Sequence, residues 1–415
     1  MNRKCLKLTF EFDTALHIGS GTLAPETGSS EVLQNGAGEY LIPGSTFAGL
    51  FFERLARLKG HNSEEYAKLQ GSRQVEKNEQ RRATHASPLI FRSATLANAN
   101  LMVRDHVKID RRLKSAKDGK KFAHWQISPH WDRKPLQVET MLELDLKSYQ
   151  EDFLNPRGVN IEKADIPKTN QLLKTVREVL DSWAHEGLFI GAHASSGMGW
   201  AHLVDAVLPA GTPDLPKPTK KVFKKWKVEL KVGDEPDGYG TNALLIRAGE
   251  GEISYRLVID ENADIDPFLD AVFLHDGQKL LIPGSSLKGA ISFYVEKYHG
   301  KDGWLRDLLG QEGETAGRIF FSDLYAVDFQ PKHLLTIERH AEDEFTRAII
   351  TQAKFNEERL FRTAFLGEIR AYADDPQLSD IESFVTFFND LAAKRLFSLG
   401  AQACHPEVFI TPLED

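Results

Sequence analysis

Two nearly identical segments of the chain carry residue types that suit phosphate binding: LIPGSTFAGLFFERL at 41–55 and LIPGSSLKGAISFYVEK at 281–297. In each, a proline and a glycine lead into a serine, which is a good N-cap for a following helix. Unpaired N–H groups at a helix start attract anions, although ordinary capping is the alternative interpretation. The repetition favours a shared binding function. We therefore predict nucleic-acid contacts from Ser45, Ser285, Ser286 and Lys288.

A glycine-rich loop, GAHASSGMGWAHL at 191–203, is a second candidate for phosphate or sugar contacts. Glycine allows a ligand to approach the backbone closely, and exposed amides in such a loop can bind an anion. The corresponding GAQACHPEVF of the second copy carries Pro406, which predicts a degenerate loop there. The candidate contact residues of the first loop are Gly191, His193, Ser195, Ser196, Gly197 and Gly199.

Basic residues concentrate at 104–121 and 217–227, although the net charge of the chain is −8. Such a separation of charge suits one RNA-facing groove with an acidic exterior, and solvated surface is the alternative. In VKIDRR, the candidate RNA contacts are Lys108, Arg111 and Arg112. His17 follows a predicted strand and precedes a glycine turn. It is a further candidate, with a local hydrogen bond as the alternative role.

The elements that must position these residues occur twice along the chain. The repeated landmarks, in order, are 41–55 with 281–297, 107–112 with 335–340, and 189–199 with 397–407. This order predicts a tandem duplication of a domain of roughly 200 residues. The proline-rich stretch at 208–221 is the predicted linker, which gives domains at 1–207 and 222–415.

Each copy begins with an alternating apolar and polar pattern typical of a half-buried strand. A helical pattern follows I-P-G-S, then further strands, and then a second helix directly before the glycine-rich landmark. Strand, helix, strands, helix, strand is the order of a ferredoxin-like sandwich. The predicted fold class is therefore α+β, with tandem ferredoxin-like (RRM-like) domains that carry insertions.

Composition indicates a soluble, globular, cytoplasmic protein: 41% of its 415 residues are hydrophobic and 27% are charged. No apolar run approaches the roughly 20 residues that cross a bilayer, and the N-terminal segment lacks the apolar centre of a signal peptide. Cys5 and Cys404 form no recognisable pair, which predicts neither a disulfide framework nor a zinc site. The histidines show no metalloprotease spacing and no nucleophile partner.

These residues resemble the RAMP backbone subunits of type III CRISPR effector complexes. The resemblance rests on three motifs: I-P-G-S-[ST]-x-x-G at 42–49 and 282–289, the loop at 191–199, and I-[DE]-R at 109–111 and 337–339. The resemblance implies RNA-binding domains that line up along a CRISPR guide RNA and hold its duplex with a single-stranded target RNA, beside other RAMP and large subunits. It adds Arg339 to the RNA contacts, and it implies a protruding hairpin at 104–126 and 338–365.

Some members of that family cut the target RNA with an aspartate ahead of I-P-G-S. The resemblance implies that Asp270, in DAVFLHD, is the catalytic and metal-binding residue. The cofactor would be Mg²⁺ or Mn²⁺, held near the scissile phosphate, or the carboxylate would orient the 2′-hydroxyl. Twelve residues before Ile42, the first copy has Ser30 beside Glu31. A turn-capping role for Asp270 is the alternative.

The preferred interpretation is a guide-RNA-binding backbone subunit whose second domain cleaves target RNA. One alternative is a non-catalytic scaffold subunit of the same complex. Another is an endoribonuclease that processes the guide precursor, as some relatives do with histidine or tyrosine. The lack of a histidine constellation in the sequence weighs against that last alternative.

Overall fold

The computed structural model describes most of the chain. The described ranges are 3–23, 30–70, 87–96, 99–110, 115–131, 134–145, 169–207, 220–233, 243–248, 252–264, 269–300, 304–310, 315–342, 349–400 and 404–413. Most of the predicted linker, 208–219, lies outside these residues.

The first half is a series of strands interrupted by helices. Its strands are β1 (Arg3–Phe12), β2 (Gly19–Leu23), β3 (Ser30–Val32), β4 (Tyr40–Ile42), β5 (Leu89–Phe91), β6 (Ala94–Leu96), β7 (Leu101–Asp110), β8 (Ser115–Ile127), β9 (His130–Trp131), β10 (Lys134–Pro135), β11 (Gln137–Asp145), β12 (Leu188–Phe189) and β13 (Trp200–Val207). The helices among the described residues are α1 (Gly44–Lys59), α2 (Glu64–Gln70) and α3 (Thr169–Glu186), and a 3₁₀ turn covers Ala194–Ser196.

The second half follows a similar order of strands and helices, with fewer strands among the described residues. Its strands are β14 (Phe223–Lys231), β15 (Leu281–Ile282), β16 (Ile319–Phe321), β17 (Leu324–Val327), β18 (Leu334–Glu342), β19 (Ile349–Leu360), β20 (Ala364–Tyr372) and β21 (Glu407–Pro412). Its described helices are α4 (Tyr255–Ile259), α5 (Gly284–His299), α6 (Trp304–Leu309) and α7 (Leu378–Ala393), with a 3₁₀ turn at Pro331–His333.

The main sheet of the first half has the strand order β12–β13–β1–β11–β5. Strand β1 lies in the centre and pairs antiparallel with both β11 and β13. Its side chains alternate, so that Leu6, Leu8, Phe10 and Phe12 are buried. Phe10 stacks on Phe47 of α1, with ring centroids 5.4 Å apart. If β12 is left out and β1, β5, β11 and β13 are numbered 1 to 4 in chain order, their order across the sheet is 4-1-3-2. This order, with two helices on one face, is that of a ferredoxin-like fold.

The second main sheet has the same plan. Its order is β15–β17–β20–β14–β21, with β16 also on β20, so β14 occupies the place of β1. Helices α5 and α7 bury Leu287, Ile291, Phe384 and Phe388 in its core. The prediction of an α+β fold built from tandem ferredoxin-like domains is therefore confirmed.

Each half also contains a long hairpin outside its main sheet. Strands β7 and β8 pair antiparallel in the first half, and β18 and β19 do so in the second. They overlap the two segments, 104–126 and 338–365, for which a protruding hairpin was predicted, and the second of these segments also reaches the start of β20. Among the described residues, no helix is both long enough and apolar enough to cross a membrane.

The halves share a small apolar cluster of their own, separate from the two domain cores. Its buried members are Phe189, Trp200, Val222, Phe223 and Phe320. Phe189 of β12 stacks on Phe320 of β16, with ring centroids 4.6 Å apart. Close packing of this kind fixes the two ferredoxin-like units relative to one another.

Candidate nucleic-acid interface and histidine cluster

Both I-P-G-S helices begin two residues earlier than the sequence suggests, at Gly44 and Gly284. The N-cap positions are Pro43 and Pro283, both extended, so the prediction that serine is the N-cap is wrong. The following glycine serves close packing rather than a sharp turn. A Cβ on Gly44 would lie 2.1 Å from the Phe91 carbonyl oxygen, and one on Gly284 would lie 2.4 Å from that of Phe321. Each helix start is thus pressed against a neighbouring strand.

The first amide of each helix already has an internal partner. Gly44 N–H donates to Ser93 Oγ at 3.1 Å, and Gly284 N–H donates to Asp323 Oδ1 at 2.9 Å. Asp323 also accepts two bonds from Arg104 of the first half, at 3.2 and 2.8 Å. Burial raises the pKa of Asp323, and Arg104 opposes this shift. A carboxylate thus pairs with the Gly284 N–H that a phosphate was expected to contact.

The glycine-rich loop of the first half docks on this same helix start. Gly197 has φ 99°, and a Cβ there would lie 2.4 Å from Asp323 Oδ1 and 3.1 Å from Gly284 N. Lys288 Nζ donates to Ser195 Oγ across the halves at 3.1 Å. Burial lowers the pKa of Lys288 to about 8. The loop and the second I-P-G-S element, predicted separately as RNA contacts, therefore form one packed surface.

Backbone hydrogen bonds fix the two ends of this loop to the segment that carries His17. Ala192 N–H donates to the His17 carbonyl at 2.9 Å, and Gly199 N–H donates to the Ala15 carbonyl at 2.7 Å. Gly191 lies against the His17 carbonyl, and Ser196 N–H bonds back to the His193 carbonyl at 2.9 Å. The loop is consequently held in one conformation, with His193 left-handed at φ 63°.

Three histidines distant in sequence meet beside this loop. Ligand nitrogens of His17, His124 and His193 all lie within 4.8 Å of one another. The ring centroids of His124 and His193 are 4.4 Å apart, and His106 lies 5.2 Å from His124. The expectation that the chain has no histidine constellation is therefore wrong, because the cluster exists only in three dimensions. We refer to His17, His124 and His193 as the histidine cluster.

Burial keeps members of the cluster neutral. It lowers the pKa of His124 to about 4, with His193 and His17 adding to the effect. The pKa of His193 is also lowered, first by burial and then by His17. The pKa of the neighbouring His106 falls to about 3, because of burial and because Arg104 lies close by. Neutral imidazoles keep a nitrogen lone pair and can act as bases or ligands.

Asp270 lies at the surface of the second half, where it is exposed. Its carboxylate accepts the Asn356 N–H at 2.6 Å, and its own N–H donates to the Asn356 carbonyl at 2.9 Å. The side chain thus has one backbone partner on β19 and remains open to solvent. This arrangement holds the carboxylate in place without burying it.

The structure changes the assumed counterpart of Asp270. Leu33 N–H donates to Ile18 O, and Leu274 N–H donates to Ile246 O, both at 2.8 Å. Leu33 and Leu274 are therefore equivalent, and counting back from them matches Ser30 with Ala271. In the sequence, the counterpart of Asp270 is then Ser29, which lies outside the described residues. The error arose because the turn before I-P-G-S is one residue longer in the first copy. The first copy still offers a serine where the second has an aspartate.

Asp276, six residues after Asp270, is engaged in other contacts. Its Oδ2 lies 3.1 Å from His130 Nδ1, and its Oδ1 accepts the N–H groups of Gln278 and Lys279. Burial acts to raise the pKa of Asp276, but these bonds outweigh it and the pKa is lowered. Asp276 therefore caps a turn and ties the two halves together.

Two of the basic candidates lie on hairpin strands. Lys108 belongs to β7 and Arg339 to β18, while Arg111 and Arg112 lie outside the described residues. The proposed match between 109–111 and 337–339 is wrong. Ile127 of β8 bridges Leu16, and Leu360 of β19 bridges Leu244, so the two bridges occupy the same place in the two halves. Counting from them along the paired strands aligns Arg104 with Ile337.

The family model of the RAMP superfamily matches residues 9–202 and 241–402, well over half of the chain. The chain belongs to the RAMP superfamily. Comparison with curated proteins gives no match. Among solved structures, it is similar to a chain of "Cryo-EM structure of the Type III-B Cmr-beta bound to cognate target RNA", with 14% identity and a TM-score of 0.31. The match covers 50% of this chain and 60% of that chain, and overlap at this level carries no functional argument.

Two features of this RAMP protein escaped the sequence analysis. Asp323 was missed because its counterpart in the first copy is Ser93. The segments LIFRSATL (89–96) and IFFSDLYA (319–326) share too few residues to indicate this match from the sequence. The histidine cluster was missed because its members are separated by long stretches of chain. Its only sequence signal is that His17 and His193 stand where the second copy has Leu245 and Gln402.

Proposed function

We propose that the chain is a guide-RNA-binding backbone subunit of a type III CRISPR ribonucleoprotein. The observation that carries the proposal is the fusion of two RAMP domains, each with a ferredoxin-like sheet and a long hairpin, through a buried contact. A rigid pair would present two RNA-binding surfaces at a fixed spacing. Other RAMP subunits and a large subunit would continue this surface along the guide RNA.

Target-RNA cleavage would belong to the second half. Asp270 is exposed and oriented by the backbone of Asn356, as a residue that acts on a bound RNA must be. A single carboxylate does not make a complete Mg²⁺ or Mn²⁺ site. It suits one in which RNA phosphate oxygens and water supply the remaining ligands. Bound there, the ion would polarise the scissile phosphate and stabilise its developing charge.

The surface formed by the glycine-rich loop and the second I-P-G-S element would follow the RNA backbone. Ser285, Ser286 and Ser196 are half-buried beside it, and Ser45 is exposed at the first helix start. Lys288, which bonds Ser195, would add positive charge at this surface. Phosphate contacts of this kind set the register of a nucleic acid without reading its sequence.

A charge-reversal experiment tests the binding surface. In the full chain, K108E, R111E and R112E together should strongly reduce retention of a labelled guide-length RNA, and should flatten the salt dependence of binding. The triple variant K297E, K394E and R395E changes the same charge at exposed positions of the second half. It should bind as the unmodified protein does. Equal loss in both variants would contradict a specific surface on the first hairpin.

A further inference from the structure

We propose that His17, His124 and His193 bind one divalent transition-metal ion, with Zn²⁺ the best match. This site is separate from the ion that Asp270 would hold, and it does not depend on the proposed role in RNA binding. Imidazole nitrogen prefers Zn²⁺ and its transition-metal neighbours, whereas Mg²⁺ prefers oxygen ligands.

The separation of the three side chains fits a single ion. Their candidate nitrogens lie within 4.8 Å of one another, with ring centroids 5.3 Å apart for His17 and His124 and 5.6 Å for His17 and His193. Zn–N bonds are about 2.0–2.1 Å long, so two nitrogens on one tetrahedral ion lie about 3.4 Å apart. Side-chain rotations that move a nitrogen by roughly 1 Å would complete the coordination.

The tautomer of His17 is set for metal binding. Its Nδ1 lies 2.6 Å from the Trp125 carbonyl oxygen, which can only accept, so Nδ1 carries the proton. The lone pair is therefore on Nε2, which faces Ser30 Oγ at 3.2 Å. A ring N–H bonded to a backbone carbonyl is the usual support of a metal-binding histidine.

Backbone hydrogen bonds bring the three ligands together before any ion binds. Leu16 and Ile127 exchange two bonds, at 2.9 and 2.8 Å, which place His17 beside β8. His193 is held close by the bond from Ala192 N–H to the His17 carbonyl. Ser30 pairs directly with His124 in the parallel bridge between β3 and β8. Such preorganisation lowers the ordering cost of binding.

Acid–base catalysis of RNA cleavage fits the cluster less well. It requires an imidazolium as the acid beside a neutral imidazole as the base. The lowered pKa values of His124 and His193 leave both neutral at pH 7. Metal binding requires neutral imidazoles, so the same environment favours a metal ion.

The duplicated half offers an internal comparison in which the site is absent. The strand register matches His17 with Leu245 and His124 with Glu357, and the repeated G-A dipeptide matches His193 with Gln402. Glu357 is buried and paired with Arg359 at 3.0 Å. The fold therefore does not require histidines at these three positions. The proposed metal site is a property of the first half alone.

Metal analysis of the full chain tests the proposal. After dialysis against EDTA and gel filtration, the protein should take up one Zn²⁺ per chain. Titration with Co²⁺ should give the visible bands of a tetrahedral complex, and excess Mg²⁺ should not displace the ion. H193N should weaken the affinity by about tenfold or more. Asparagine tolerates the left-handed backbone conformation that His193 adopts, so this variant should fold.

H185N is the matched control, because His185 is an exposed histidine at the end of α3. It should bind Zn²⁺ as the unmodified chain does. The proposal would be overturned if the protein bound no stoichiometric Zn²⁺, or if H193N and H185N had the same affinity. Because RNA retention is measured separately, failure of the metal test leaves the guide-RNA proposal standing.

Discussion

Arg104 and Asp323 form a buried, two-bond ion pair that joins the two halves of the chain. Arg104 is 2% exposed and Asp323 is 1% exposed, and the carboxylate also accepts the first amide of α5. The contact between the halves, the start of α5 and the ion pair therefore all depend on Asp323. Because neither charge has access to water, removal of one partner leaves the other uncompensated.

We expect R104A and D323A each to lower the free energy of unfolding by about 3–5 kcal/mol, measured by denaturant titration. The double variant should lose less than the sum of the two single losses, because they share one interaction. Arg57 and Asp374 also pair across the halves, at 2.7 Å, but at the surface. D374A should therefore cost less than about 1 kcal/mol. Equal losses for D323A and D374A would contradict this account.

The glycine of the second I-P-G-S element gives a second prediction. G284A places a methyl group 2.4 Å from the Phe321 carbonyl oxygen and 2.8 Å from that of Ser322, so the helix must shift. We expect a loss of about 1–3 kcal/mol, measured by thermal or denaturant unfolding. Gly289 lies in the same helix with no neighbour within 4 Å. G289A should stabilise the protein by up to about 1 kcal/mol, and destabilisation by both would refute the packing argument.

Acid should destabilise the first half through its histidines. The pKa of His106 is lowered from 6.5 to about 3 and that of His124 to about 4, whereas an unfolded chain protonates near 6.5. The stability they contribute is complete above pH 6.5 and is lost progressively as the pH falls toward 4 and then 3. For His106 the slope should be at most about 1.4 kcal/mol per pH unit.

Unfolding titrations at pH 7, 6 and 5 in EDTA, which excludes bound metal, would measure this slope. H106Q should flatten it, and H185N should leave it unchanged. If H106Q had the slope of the unmodified protein, His106 would not be the group that titrates.

Cleavage gives a fourth prediction, at Asp270. In the assembled ribonucleoprotein, D270N should abolish cutting of a matched target RNA at the position set by the second half, because its carboxamide cannot hold the ion as a carboxylate does. Guide RNA content should not change. D260N, at an exposed aspartate nearby, should cut normally. Unchanged cutting by D270N would leave the chain as a scaffold subunit.

The sequence was sufficient for the parts of the fold that have a local or repeated signal. Alternation in β1 and β14 and the helical pattern after I-P-G-S led to the strand and helix order of both halves. Register was harder, because a one-residue difference in a turn displaced the counterpart of Asp270. The I-[DE]-R match failed for a similar reason, since charged residues recur along both hairpins.

Sequence analysis could not anticipate what the halves do to one another. The partner of Gly284 N–H is Asp323, but its charge is balanced by Arg104 from the other half, 219 residues away. His17, His124 and His193 likewise meet because a bridge at Leu16 and a loop bond at Ala192 bring distant segments together. Such contacts depend on tertiary packing, which leaves no periodic trace in the sequence.

The most direct test of the central claim is to identify the RNA that accompanies the full-length protein. The chain, tagged and co-expressed with its genomic neighbours, would be purified as a complex and its RNA sequenced. The account predicts a small RNA of uniform length that carries CRISPR repeat sequence at one end. An intact complex with no RNA, or with only random cellular fragments, would contradict the proposed role as a guide-RNA-binding subunit.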